Sequence, residues 1–100
     1  MADGLELILA AHLKDPFPDS IVRGADYGAV DAVLIDSDLY GWCRSVSESG
    51  SLGPTDARRF RQASDSLAVS LVTFPTTARA YYTRLLLAAE LALQRIETKV

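Results

Sequence analysis

Residues 77–98 read TARAYYTRLLLAAELALQRIET, and this stretch decides the fold. Tyrosines, leucines, alanines and an isoleucine recur around most of its helical circumference. One narrow polar stripe remains, formed by Thr83, Glu90, Gln94 and Glu97, with Leu87 along it. A helix this apolar must be covered. Two interpretations stay open: the rest of the chain covers the whole apolar arc, or a second subunit of a homodimer covers part of it.

A second helix is predicted directly before this one, over residues 54–73. Thr55 is a suitable N-cap, and Asp56 is favourable in the first turn because it faces the positive end of the helix dipole. Its inward face has apolar residues at spacings of three or four: Phe60, Ala63, Leu67, Leu71 and Phe74. Pro75 breaks the helix, and so short a connection predicts an antiparallel helical hairpin over residues 54–98.

The first half of the chain is predicted to contain one short helix and a β-hairpin. The helix covers residues 3–13, with Asp3 as N-cap and Pro16 preventing its continuation. Residues 15–18 form an extended connector, and residues 21–23 could start a short strand. In AVDAVLIDSDLYGWCRSV, residues 29–46, the β-branched run 30–35 and the alternating run 39–46 are the two arms. Residues 36–38 are the turn between them.

These elements predict one α+β domain over residues 1–100. Residues 1–50 hold the short N-terminal helix and a small antiparallel sheet of two or three strands, and residues 54–98 hold the helical hairpin. No run approaches the roughly eighteen apolar residues that read as a membrane span. The N-terminus lacks the basic region of a signal peptide, so we expect a cytoplasmic protein without membrane contact.

The acidic and basic residues are unevenly distributed along the chain. Its net charge is −3, yet residues 1–50 carry nine acids against three bases, whereas residues 51–100 carry four acids against seven bases. Such asymmetry can steer a charged partner. Three arginines, Arg58, Arg59 and Arg61, lie on one helical turn, but the acidic balance argues against nucleic-acid binding. A solvated helix face that pairs with Asp65 and with the acidic hairpin is favoured.

For three candidate chemical sites, the surrounding sequence favours a structural role over a chemical one. Asp36 and Asp38 have the spacing of a divalent-cation loop, but Tyr40 stands where that loop needs an oxygen ligand and Ser47 where it needs a bidentate glutamate. A hairpin turn is therefore favoured. His12 is the only histidine and is expected at the edge of the core. The only cysteine, Cys43, excludes an intrachain disulfide and is expected to be a buried apolar residue. No cofactor is expected.

A compact, acidic domain without catalytic motifs favours a non-catalytic binding or regulatory protein, of the inhibitor, immunity or adaptor type, that acts through protein–protein contacts. The partner-binding residues are predicted on the hairpin and just before it: Asp26, Asp31, Asp36, Asp38, Tyr40 and Trp42. The partner is expected to be a protein, and a basic surface would complement these acids.

Two alternatives to this function remain. The first is an obligate homo-oligomer with a structural or ligand-sensing role, most simply a homodimer, whose interface would contain Tyr82, Leu86, Leu87 and Leu93. The second is a small metal-dependent enzyme that uses the Asp36/Asp38 pair. We expect no enzymatic activity, so the enzyme ranks last.

Overall fold

The computed structural model describes residues 3–97, which form a helical body with one small sheet. The helices are α1 (Gly4–Lys14), α2 (Ala32–Ser49), α3 (Pro54–Ser70) and α4 (Thr76–Glu97), and a 3-10 turn (Leu71–Thr73) joins α3 to α4. The strands β1 (Asp26–Tyr27) and β2 (Val30–Asp31) pair antiparallel. The α+β class, the short N-terminal helix and the C-terminal helical hairpin predicted from the sequence are confirmed.

Helix α4 is the centre of the structure, because α1, α2 and α3 all pack against it. Its buried residues are Ala78, Tyr81, Tyr82, Leu85, Ala88, Ala89, Ala92 and Leu93. The alanines let neighbouring helices approach, and full burial of each larger side chain contributes about 1.5–3 kcal/mol. Residue 98, the predicted end of this helix, lies outside the described residues. No helix in the described range is long and apolar enough to cross a membrane.

Residues 32–49 are a helix, so the predicted strand at 30–35 is right only for its first two residues, and the predicted strand at 39–46 and turn at 36–38 are wrong. The apolar residues of this segment also fit a helical period, because Ala32, Ile35, Leu39, Cys43 and Val46 form one buried face. Capping groups at both ends of the segment favour the helix over the strands. The Asp31 carboxylate accepts hydrogen bonds from the N–H groups of residues 33 and 34, and the residue at position 50 is a glycine in the left-handed region.

The actual β-hairpin begins upstream of the predicted one, overlaps it only at residues 30–31, and has strands of only two residues each. Asp26 pairs with Asp31, and Tyr27 pairs with Val30. The expected strand at residues 21–23 is absent from the described structure, where that segment is irregular and only Ile21 is buried. The sheet therefore serves as a short connection that leads into α2.

The turn of this hairpin is fixed against the end of α3. Gly28 has a φ of +62°, and a Cβ atom there would lie 2.7 Å from Ser70 Oγ and 3.2 Å from Ser70 Cα. The neighbouring N–H of Ala29 donates a hydrogen bond to Ser70 Oγ at 2.9 Å. Only glycine combines this backbone conformation with so close an approach.

The start of α3 also differs in detail from the prediction. Gly53, rather than Thr55, is the N-cap residue, and no side chain caps this helix. Pro54 opens the first turn, where its missing N–H has no partner to lose. The helical spiral then tightens into the 3-10 turn before Pro75.

The contact between Gly28 and Ser70 predicts unequal effects for two alanine substitutions. Gly24→Ala should cost about 1–2 kcal/mol of unfolding free energy, because Gly24 also has a positive φ but nothing lies near its Cβ position. Gly28→Ala should cost about 1–3 kcal/mol more, because its methyl group would also collide with Ser70. Urea unfolding of both variants measures the difference, and equal losses would contradict the structure.

Candidate functional site

An open cleft of about 360 Å³ lies where α1 and α2 meet the Tyr81 side of α4. The irregular segment between α1 and β1 closes one side of the cleft through Phe17 and Arg23. Aromatic rings line it, from Phe17 on the connector, Tyr40 on α2 and Tyr81 on α4. Its volume is at the lower end of the range of about 300–1,000 Å³ that is usual for binding pockets.

The Asp36 carboxylate is the central polar group of this cleft, and its side chain is 16% exposed. The Tyr81 hydroxyl donates a hydrogen bond to Asp36 Oδ2 at 2.6 Å, and the His12 Nε2–H group donates one to Asp36 Oδ1 at 2.7 Å. The three residues come from α4, α1 and α2. The network therefore joins all the helices that form the cleft.

His12 is held in one tautomer by a residue on the other side of its ring. Arg84 Nη2 lies 3.4 Å from His12 Nδ1, and a guanidinium can only donate a hydrogen bond. Nδ1 is therefore the acceptor, which leaves the ring proton on Nε2, where it points at Asp36. His12 is 5% exposed, and both of its ring nitrogens are engaged.

Arg84 connects this network to Asp15 at the end of α1. Its Nη2 lies 2.8 Å from Asp15 Oδ2, and its Cζ stands 5.6 Å from the centre of the Tyr81 ring. The Arg84 Nε atom is buried and has no hydrogen-bond partner in the described structure. The positive charge of Arg84 is thus largely balanced by Asp15 rather than by Asp36.

The two adjacent tyrosines of α4 both remain protonated far into the alkaline range. Burial raises the pKa of Tyr81 well above its ordinary value, and the hydrogen bond and negative charge of Asp36 raise it further. Burial likewise raises the pKa of Tyr82, whose hydroxyl donates to the carbonyl of Ala32 at 2.8 Å. Both phenols therefore act as hydrogen-bond donors to α2.

Arg23 contributes a positive charge to the rim of the cleft. Its Cζ lies 4.6 Å above the centre of the Phe17 ring, which is a cation–π contact. Within residues 3–97, no carboxylate lies at ion-pair distance from Arg23. The cleft therefore presents Asp36 at its floor and an unneutralised guanidinium at its edge.

The six predicted partner-binding residues do not form one surface. Asp36 and Tyr40 line the cleft. Asp38 and Trp42 instead line a shallow groove between α2 and α3, with the Trp42 ring 5.7 Å from that of Phe60. The other two, Asp26 and Asp31, belong to the hairpin: the first is exposed on β1, and the second caps α2.

The four residues predicted at an oligomer interface are divided between the core and the surface. Tyr82 and Leu93 lie in the core of the subunit, with 0% and 1% exposure, because they face the helices that pack on α4. Leu86 is half-buried, and Leu87 is 53% exposed. Only the last two reach the surface of the folded chain.

The helical conformation of α2 separates Asp36 from Asp38. Residues two positions apart on a helix point about 200° away from each other, whereas the predicted turn would have brought them together. Asp36 faces α1 and α4, and Asp38 faces the α3 side. In the described range, no group of three or more histidines, cysteines or acids is placed to hold a metal ion.

Cys43 is a fully buried, free thiol on the inner face of α2, as expected from the sequence. Burial raises its pKa to about 12. His12 contacts Asp36, Arg84 and the rings of Tyr40 and Tyr81 rather than this thiol. The two residues therefore form no nucleophile–base pair.

Of the three arginines at the start of α3, Arg61 pairs with Asp65 as expected, but among the described residues no ion pair joins these arginines to the acids of residues 26–38. Arg61 contacts Asp65 on its own helix at 4.0 Å and Glu90 on α4 at 3.6 Å, and it also pairs with Glu97. The pairs with Glu90 and Glu97 link α3 to α4 on the outer side of the helical hairpin, although each exposed pair contributes little in water.

Among the residues that line the cleft, the sequence analysis did not single out Asp15, Phe17, Arg23 or Tyr81, and it also missed Arg84, which pairs with Asp15. Asp15 and Phe17 lie in the predicted connector, and Arg23 lies in the segment that could have started a strand. Arg84 follows Tyr81 by three positions, so the two share a helix face, and this spacing is the one signal that could have joined them.

No protein-family model matches this chain, and searches of curated proteins and of solved structures also find no match.

The raised pKa of Tyr81 predicts that its contribution to stability is lost at alkaline pH. A tyrosine ionises near pH 10 in the unfolded chain, and Tyr81 ionises at higher pH in the folded one. The contribution of Tyr81 to the free energy of unfolding is therefore complete below pH 10 and decreases as the pH rises above that value. Tyr81→Phe should therefore show a smaller loss of unfolding free energy than the wild type between pH 8 and pH 10.5. Urea titrations at the two pH values measure this, and equal losses would argue against the burial of Tyr81.

Proposed function

We propose that this chain is a non-catalytic binding protein that acts through protein–protein contacts, and that its partner docks over the cleft beside Asp36. The observation that carries the proposal is the network at the floor of the cleft. A mostly buried carboxylate is positioned by donors from two other helices, Tyr81 and His12, while the cleft in front of it stays open. Such rigid placement is the usual basis of specific recognition.

The state of the reactive side chains supports binding rather than catalysis. A general base needs a free nitrogen within reach of the proton it removes, and both nitrogens of His12 are occupied. A cysteine nucleophile needs access and a low pKa, whereas Cys43 is buried and its pKa is raised. A free, buried thiol is also compatible with the cytoplasmic location that we include in this proposal.

The surroundings of the cleft support a protein as the partner. Two exposed apolar residues extend the surface beyond the aromatic walls: Leu13, which lines the cleft and is 64% exposed, and Val22, which neighbours Arg23 and is also 64% exposed. Aromatic and arginine side chains surrounded by apolar area are the composition found at the centres of protein interfaces. A small molecule held in the cleft would leave these outer residues uncovered.

A matched pair of leucines tests this docking surface. Leu13 and Leu34 are 64% and 61% exposed, but Leu34 lies on the opposite side of α2, next to α3. The partner is captured from native cell extract, identified by mass spectrometry, purified and titrated by calorimetry. Leu13→Ser should weaken binding by about tenfold, as truncation of an interface residue does, and Leu34→Ser should leave it unchanged. The reverse pattern, or no effect of either substitution, would refute the proposed surface.

A second candidate function is a homo-oligomer, because apolar residues are exposed on two adjacent helices. Leu7 on α1 is 60% exposed and Leu87 on α4 is 53% exposed. The helices run antiparallel, since Asp3 pairs with Arg95 and His12 contacts Arg84. A second copy could cover both leucines.

Light scattering at tens of micromolar protein tests this candidate. A dimeric mass that Leu87→Glu reduces to a monomeric mass is the expected result, because a buried carboxylate without a partner is strongly unfavourable. Leu34→Glu is the control at an equally exposed leucine outside these two helices. A monomeric mass for the wild type would eliminate the homodimer.

A further inference from the structure

No arginine or lysine pairs with Asp36 within the described part of the chain. Its hydrogen-bond donors are the Tyr81 hydroxyl and the His12 ring. The two bonds use half of the roughly four acceptor positions of a carboxylate. A mostly buried carboxylate without a permanently charged partner is costly to fold, so a ligand that supplies an arginine or lysine gains affinity from it.

The walls of the cleft are suited to a cation. Rings of Phe17, Tyr40 and Tyr81 line it, and the face of an aromatic ring attracts ammonium and guanidinium groups. The chain already uses this attraction at the cleft, where the Arg23 guanidinium lies over Phe17. A flat guanidinium from outside could enter beside such rings and reach the free lone pairs of Asp36.

Arg23 places a donor at the rim, on the outer side of the cleft. A peptide residue with a basic side chain carries both complementary groups, because its side chain donates and its main-chain carbonyl accepts. An isolated anion would meet Arg23 favourably but would be repelled by Asp36 and by the partly exposed Asp15. The pattern of charge therefore favours a basic residue of a peptide chain.

We propose that the cleft receives an arginine or lysine side chain of the protein partner, whose cationic group pairs with Asp36 while its main-chain carbonyl meets Arg23. This inference rests on the proposed function and adds the chemistry of the residue that is recognised. The cleft volume of about 360 Å³ accommodates one long side chain without a rearrangement of the helices.

Capped tripeptides test the chemistry directly. Acetyl-Ala-Arg-Ala-amide and its citrulline analogue have nearly the same shape, but citrulline is uncharged. In titrations of the isotope-labelled protein followed by two-dimensional NMR, the arginine peptide should shift the amide signals of Ser37 and Tyr40 and bind at least tenfold more tightly than the citrulline peptide. Equal binding of the two peptides, or an absence of shifts at these residues, would overturn the inference.

Substitutions on α2 show which carboxylate is responsible. Asp36→Asn should reduce binding of the arginine peptide to the level of the citrulline peptide, and Asp38→Asn, two residues away on the exposed α3 side, should leave it unchanged. An anionic ligand would give the opposite result, with tighter binding to Asp36→Asn and a loss on Arg23→Gln. That outcome would also overturn the inference.

A further pair of variants avoids the buried network, in case Asp36→Asn disturbs folding. Ser37 is exposed at the cleft, so Ser37→Lys would place a tethered ammonium group there and compete with the ligand. Ser45→Lys adds the same charge on an exposed position of α2 away from the cleft and should have no effect. If Leu13→Ser weakens binding of the purified partner but Ser37→Lys does not, the proposed docking surface is supported and recognition of a basic side chain is excluded. If Leu13→Ser has no effect, the proposed function itself fails.

Discussion

The burial of α4 is the constraint on which the rest of the structure depends. A helix of this length cannot keep its tyrosines and leucines in water, and α1, α2 and α3 each cover part of it. Its adjacent tyrosines then determine how α2 is placed. The Tyr82 hydroxyl is bonded to the carbonyl of Ala32, and the Tyr81 hydroxyl is bonded to the carboxylate of Asp36. The same helix therefore builds the core and positions the polar floor of the cleft.

The helices α1, α3 and α4 could be predicted from the sequence because their apolar spacing fits only one period and prolines limit them. Helix α2 could not. Its first residues are β-branched and apolar at nearly every position, so they fit a buried strand as well as a helix. The deciding signals were the capping carboxylate of Asp31 and the left-handed Gly50 at the other end. Asp36 and Asp38 instead suggested a turn, because aspartate is common there.

The error in α2 also explains why the cleft was not predicted. His12 and Asp36 were recognised as individual candidates, but their positions relative to each other depend on the phase of a helix that had been taken for a strand. The bonded pairs are separated by 24 residues for His12 and Asp36, and by 45 for Asp36 and Tyr81. Local patterns carry no information about contacts of that range. Composition alone indicated the acidic character of the first half, which the cleft shares only through Asp15 and Asp36.

The contact between Gly28 and Ser70 has a consequence for the cleft, although neither residue lines the cleft. The Ser70 hydroxyl holds the hairpin turn, the hairpin ends at Asp31, and Asp31 begins the helix that carries Asp36 one turn later. The rotational setting of α2 is thereby coupled to the last residue of α3. A bulkier side chain at position 70 would collide with Gly28 and displace the hairpin from which α2 begins, and the Asp36 carboxylate would shift with that helix. The arrangement of the cleft is thus sensitive to packing at the end of α3, although no residue of that helix lines it.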